Sequence, residues 1–277
     1  MFLPKLLKMS HASWFELVIF FSGWAAIWLP IAFLIFRSLN WQPKETLSDR
    51  QKLILLGSLY ILIPVTIGWE IARGLSSFTS LGLSPRSRIF PDLLWGLSLS
   101  LISLTFIFGL ESAGNLISWH RQNIKRLLPI SIPILSLSLL ISLAEESVFR
   151  GYVLSTLLFD NSLLVAATTS SIIFALSHLI WERKQTRWQI PGLWLMGMVL
   201  VAARVVSDGT IYLPLGLHAG WIWGLTCIDS AELVTYNHQN HWITGINRQP
   251  LAGTGGIFCL VITGLAMWII TNSNLWQ

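Results

Sequence analysis

Long apolar runs alternate with short polar connectors along almost the whole chain. The first run, Trp14 to Phe36, is long enough to span a bilayer as a helix, with Pro30 as a kink point. RSLNWQPKETLSDRQK separates it from a second predicted span, Leu53 to Ile71, with Glu70 near its end where it can reach the interface. The Gly-, Ser- and Pro-rich stretch Arg73 to Asp92 reads as a loop or a short interfacial segment. A third span is expected between Leu93 and Ile117, with Glu111 near its far end, followed by the basic connector HRQNIKR, residues 120–126. The run from Leu127 to Ala144 leads straight into Glu145 and Glu146, and with its continuation exceeds a simple span, which predicts a long or broken helix. Asp160 and Asn161 mark a turn before a fifth span, Ser162 to Ile180. WERKQTR separates that span from a sixth, Pro191 to Val206. The segment Gly209 to Ile228 is expected to be broken by Pro214 and Gly216, and a polar region, residues 229–256, precedes a last span, Ile257 to Ile270. The pattern predicts an all-α polytopic transmembrane helical bundle of about eight spanning or partly inserted helices, with no fixed-period repeat.

Composition agrees. Apolar residues make up 53% and charged residues 11%, where a soluble domain carries about 25% charged. Mean hydropathy is +0.64. There are 15 Trp, a residue suited to the headgroup boundary. Lys and Arg outnumber Asp and Glu by 18 to 13. Between spans that excess meets anionic lipid and sets topology, so a nucleic-acid partner is excluded and membrane lipids are the expected contact. Every connector up to residue 187 carries basic residues, which leaves orientation open, although Lys5 and Lys8 favour a cytoplasmic N-terminus. The first run is too long for the apolar core of a cleaved signal and reads as a retained span. The lack of an obvious transit segment favours a bacterial inner (plasma) membrane. Cys227 and Cys259 are too few and too far apart for a disulfide scaffold or a four-ligand zinc site, and read as buried apolar thiols.

Candidate chemistry lies where the apolar pattern is violated. Glu145 and Glu146 stand inside an apolar stretch, ILSLSLLISLAEESVFRGYVL, with Arg150 behind them. Acids at that depth are costly unless paired, and an intramembrane ionisable residue is a functional candidate by default. On a helix Glu146 and Arg150 share a face, and a guanidinium stays charged, so it can hold that carboxylate ionised. Glu145 points about 100° away and need not share the arginine. One acid can orient while the other acts. His178 ends FALSH, one turn after Phe174, and His218 lies in LPLGLHAGW, where small residues at 216, 219 and 220 allow helices to approach closely. Glu145 as general base would polarise a water. One histidine would share or relay the proton, and the other, aided by a neighbouring donor, would stabilise the oxyanion formed at a peptide carbonyl. Glu145, His178 and His218 could instead hold a divalent metal such as zinc, although HExxH is absent. The residues alone leave metal-activated and glutamate-activated water both open.

Together these motifs resemble the CAAX prenyl endopeptidase and bacteriocin-processing family of membrane proteases, also called CPBP or Abi. EExxxR matches Glu145, Glu146 and Arg150, continued by Gly151 and Tyr152. FxxxH matches Phe174 to His178, and a third histidine motif begins at His218. The resemblance covers roughly residues 130–225. It implies endoproteolysis of a membrane-associated protein or peptide within the bilayer, with eukaryotic members removing the last three residues of prenylated CAAX proteins. By resemblance Glu145 activates the water, His178 helps position it, His218 supports the oxyanion, and Glu146, Arg150 and Phe174 shape the site. One departure is Ile222, which stands four residues after His218 where the family has Asn or a similar residue. Asn161, Ser177 and Trp221 are candidates to supply the missing donor.

On this reading the chain is one transmembrane domain, residues 1–277. The N-terminal spans are residues 1–126, a catalytic core carrying the motifs is 127–228, and a polar connector with the last span is 229–277. A non-catalytic scaffold or immunity protein retaining the site, motivated by Ile222, is one alternative. A proton-coupled transporter is the other, disfavoured by acids clustered in one segment and by the lack of an inverted repeat. Arg204 and Asp208 are read as a structural i,i+4 pair near a membrane boundary. His238 and His241 lie close together in a polar loop but lack further metal ligands nearby.

Overall fold

In a computed structural model, residues 12–41, 47–74, 76–180, 186–237, 242–246 and 249–272 are described. Lys5, Lys8, His238, His241 and most of WERKQTR lie outside them. The described chain is overwhelmingly helical. Helices α1 (Ala12–Ser38), α2 (Asp49–Ala72) and α3 (Ile89–Ala113) follow the first three apolar runs. Ser48 caps α2 in a reciprocal box with Gln51. Helix α4 (Leu127–Glu146) continues without a break through a π-helical segment, Ser147–Val153, into the short α5 (Leu154–Leu157). Ser162 caps α6 (Leu163–Ser177), which tightens into a 3₁₀ turn, His178–Ile180. Then come α7 (Ile190–Val206), α8 (Tyr212–Ser230) and α9 (Thr254–Asn272).

Among the described residues, five helices are long and apolar enough to cross a membrane: Ser13–Ser38, Arg50–Ala72, Ile89–Ala113, Arg121–Leu157 and Leu163–Ile180. Two shorter apolar helices are Ile190–Val206 and Thr254–Ile269. Large apolar side chains such as Phe15, Ile61 and Leu128 stand exposed on the outside of the bundle. In water such patches would drive association, whereas against lipid tails they are at home. The chain is an integral membrane protein.

Two local expectations are corrected. The third helix ends at Ala113 with Gly114 as its C-cap, so Ile117 is outside it. Ile117–Trp119 forms strand β1, which pairs antiparallel with β2, Val234–Tyr236, in the register Ile117↔Tyr236 and Trp119↔Val234. This small sheet, together with the Arg126–Glu232 ion pair at 2.5 Å, ties the connector after α3 to the segment after α8. Finally, α8 is not broken. Pro214 falls in its first turn, where no intrahelical donor is lost, and Gly216 continues the helix.

Helices α3 and α8 form the tightest contact of the bundle. A Cβ at Gly216 would land on the Leu93 carbonyl, one at Gly96 on the Leu213 carbonyl, and one at Gly220 on the Ser100 hydroxyl. The small residues around His218 therefore let α8 lie backbone to backbone against α3, as close helix approach requires. Gly216→Ala forces backbone against backbone, and overpacking of this kind costs about 1–3 kcal/mol. The expected result is a lower thermal unfolding midpoint in detergent. An unchanged midpoint would mean that α3 and α8 can separate freely.

Candidate active site

The π-helical segment immediately follows the glutamate pair. A π-helix shifts bonding to i→i+5, is rare, and recurs at functional sites. Here its carbonyls are served from neighbouring helices. The Ser170 hydroxyl on α6 donates to the Phe149 carbonyl at 2.9 Å, and the Arg204 guanidinium on α7 donates to the Arg150 carbonyl. Gly151, lacking a Cβ, lets the Leu81 backbone approach. Arg204 also donates to the Ser80 carbonyl at 2.8 Å, the Gly209 carbonyl at 2.9 Å and the Ser155 hydroxyl at 3.0 Å. It is thus a buried staple between the loop before α3, the π segment and α7. The expected Arg204–Asp208 pair does not form. Asp208 sits just past the end of α7 in a left-handed conformation (φ 54°) and pairs with exposed Arg86 at 3.3 Å. The turn aims its carboxylate away from Arg204, whose donors are taken by carbonyls.

The two acids diverge. Glu146 is fully buried, with one oxygen held by Arg150 Nη1 at 3.0 Å and by His218 Nδ1 at 2.8 Å. Arg150 is 1% exposed, reaches the Gly197 carbonyl at 3.4 Å, and lays its guanidinium 4.3 Å from the Phe174 ring centre. Cation and ring attract through the ring quadrupole. Phe174 also meets the His178 ring at 4.7 Å and the His218 ring at 5.9 Å, both edge-on. The phenylalanine one turn before the first histidine is therefore the apolar hub against which both imidazoles and the arginine are set.

Glu145 turns instead towards α2. Its Oε1 accepts a hydrogen bond from the Tyr60 hydroxyl on α2. Its Oε2 is buried, has no hydrogen-bond partner among the described residues, and lies 3.8 Å from His218 Nε2 and 4.0 Å from His178 Nε2. The other ring nitrogens are engaged. His178 Nδ1 is 2.8 Å from the Phe174 carbonyl, and His218 Nδ1 faces Glu146. A carbonyl can only accept, and so can a carboxylate once ionised, so each Nδ1 is assigned the proton and each Nε2 is turned towards Glu145. Three helical segments thus bring His218 Nε2 to 3.8 Å and His178 Nε2 to 4.0 Å from Glu145 Oε2. These three residues do not make a metal site as they stand. Among the described residues no group of three or more His, Cys, Asp and Glu is close enough to hold an ion. The 3.8 and 4.0 Å gaps are also wider than the spacing of donors about 2.0 Å from one zinc ion.

Glu145, His178 and Tyr60 line a cavity of about 600 Å³ between α1, α2, the π segment and the end of α6. Apart from Ser177 its other walls are apolar or aromatic, with Phe21, Trp24, Trp28, Leu56 and Ile63 among them. Of the donors considered for the place of Ile222, Ser177 lines this cavity but bonds back to the Phe174 carbonyl at 2.7 Å. Trp221 is committed to Ser103 at 3.2 Å, and Asn161 to the Leu157 carbonyl at 2.9 Å and to Asp160. Tyr60 is the residue that reading by motif passed over. It stands among apolar residues in the middle of α2, a helix with no chemical motif, so no signal in the sequence points to it.

Comparison with curated proteins gives no match, and neither does comparison with solved structures. Residues 126–224, which hold all three motifs, match the family model described as "Type II CAAX prenyl endopeptidase Rce1-like", and over that stretch the chain is similar to the protease family its motifs resemble.

Proposed function

We propose that the protein is an intramembrane endopeptidase that hydrolyses a peptide bond in a membrane-associated protein or peptide, by glutamate-activated water with histidine assistance. The Rce1-like match supports membrane-embedded protease activity in general terms. The observation that carries the finer reading is the unbonded Glu145 Oε2, 3.8 and 4.0 Å from two imidazole nitrogens at the end of an apolar cavity. Polar atoms at such separations are bridged by a water about 2.8 Å from each. The bundle's shorter helices complete about eight spanning or inserted elements, with residues 127–228 as the catalytic core, in a bacterial inner membrane.

In this reaction the water oxygen bonds to the scissile carbonyl carbon as Glu145 takes a water proton, and the carbonyl π pair moves onto oxygen. His178 holds the water. His218, oriented by Glu146 through Nδ1–H, supports the oxyanion from Nε2 in the form that carries a proton on both ring nitrogens. Collapse breaks the C–N bond, and Glu145 returns the proton to the leaving amine. Glu146, tied through one oxygen to Arg150 and His218, orients the site and takes no part in proton transfer. The apolar cavity suits a substrate whose recognised part is hydrophobic. The scaffold and transporter alternatives gain no support from the site.

The direct test compares the peptides released from membranes carrying the wild-type protein with those from membranes carrying Glu145→Gln. Peptides present only with wild type identify the substrate. Identical peptide sets would leave the hydrolase reading without a product. With a substrate in hand, cleavage by reconstituted protein is expected to survive dialysis against a chelator. Loss of cleavage that zinc restores would instead make Glu145, His178 and His218 metal ligands, and the protein a metalloprotease.

A further inference from the structure

We infer that Tyr60 is the positioning residue for Glu145, so that helix α2 supplies this carboxylate's polar partner. The inference rests on the peptidase reading. Three observations on the molecule converge on it. The Tyr60 hydroxyl donates to Glu145 Oε1, across 85 residues of sequence, from a helix outside the stretch that matches the protease family. The other carboxylate oxygen, Oε2, makes no hydrogen bond among the described residues and faces both imidazoles. Two of the donors considered for the place of Ile222 are spent elsewhere, Ser177 on the Phe174 carbonyl and Trp221 on Ser103.

The physical consequence follows from the carboxylate's geometry. A glutamate has three side-chain torsions, and its terminal one is broad and soft. An ionised carboxylate only accepts, so a single donor fixed on one oxygen decides where the other points. With Tyr60 on Oε1, the lone pairs of Oε2 are directed at the space shared with His178 and His218. Without that donor the carboxylate can rotate, and the base spends less of its time in line with the water. Small misplacements of a catalytic group cost about a hundredfold. Tyr60 touches neither the water nor the scissile bond, so its effect falls on turnover and not on substrate capture.

The test uses full-length protein in proteoliposomes with a quenched fluorogenic peptide that ends in a farnesylated cysteine and three further residues, or with a substrate identified from membranes. Tyr60→Phe keeps the ring and removes the hydroxyl. Expected is a kcat lower by about ten- to a hundredfold with KM within about twofold. A second readout is independent of turnover. The infrared carboxylate band of Glu145, isolated by subtracting the E145Q spectrum, is expected to move in Y60F. Unchanged kcat, an unmoved band, or a loss confined to KM would each overturn the assignment, the last making Tyr60 a wall of the substrate cavity. If Y60F does not assemble, difluorotyrosine at position 60 of otherwise wild-type protein strengthens the donor and must move the same band, and an unmoved band overturns the assignment. Cleavage by wild type but equally by Y60F sinks the Tyr60 assignment alone, whereas absence of cleavage by wild type sinks the peptidase reading and this inference with it.

Discussion

Glu145→Gln is expected to abolish peptide cleavage while leaving the protein folded. Glutamine has nearly the shape of glutamate, and its amide oxygen can still accept from the Tyr60 hydroxyl. It cannot take a proton from water. Removing a positioned general base costs about 10²–10⁴-fold in rate. Glu146 is held by Arg150 at 3.0 Å and by His218 at 2.8 Å, and its geometry is that of an orienting group. The measurement is turnover of a fluorogenic membrane peptide by reconstituted protein, beside an unfolding curve in the same detergent. Turnover near the wild-type level would remove Glu145 from the mechanism, whatever its place in the motif.

Arg150→Ala is expected to cost the most stability. The pair it breaks is as buried as any in the molecule, at 1% exposure for Arg150 and 0% for Glu146. Deleting one partner leaves a carboxylate in a low-dielectric interior with no cation beside it, a loss of about 3–5 kcal/mol. That is a large fraction of a typical folding free energy of about 5–15 kcal/mol. The guanidinium's contacts with the Gly197 carbonyl and the Phe174 ring are lost as well, and both histidines pack on that ring. The readout is the yield of monodisperse protein and its unfolding midpoint. The double variant Glu146→Gln with Arg150→Met carries no orphaned charge and is expected to be the more stable of the two. If the double variant is no better than R150A, the loss comes from packing on Phe174 and not from the charge.

Several of these residues could be read from the chain because membranes make polarity conspicuous. Glu145, Glu146 and Arg150 interrupt an apolar run, and their cost in lipid is reason enough to suspect them. The four-residue step from Glu146 to Arg150 predicts the ion pair, and it forms. It does so although the π-helical turn begins at Ser147 between them, a change of helix type that no propensity of SVFRGYV signals. The small residues around His218 predict a close helix contact, found against α3. The same periodicity misleads at the edges. Pro214 looked like a break because a proline inside a helix removes a donor, but in the first turn there is no bond to lose. Arg204 and Asp208 have the spacing of a pair, but the helix ends between them.

The sequence by itself determined that the chain is helical, that it lives in a membrane, and which few polar groups are placed where only function or pairing explains them. These follow from local quantities: the length of apolar runs, the period of a helix and the cost of charge in hydrocarbon. What only the tertiary structure decided is which acid faces which base, and what holds it there. The free oxygen of Glu145, the two ring nitrogens turned towards it and the Tyr60 hydroxyl behind it come from four helices separated by up to 158 positions. Side-chain direction across such distances is set by how helices pack, and packing is a property of all of them together.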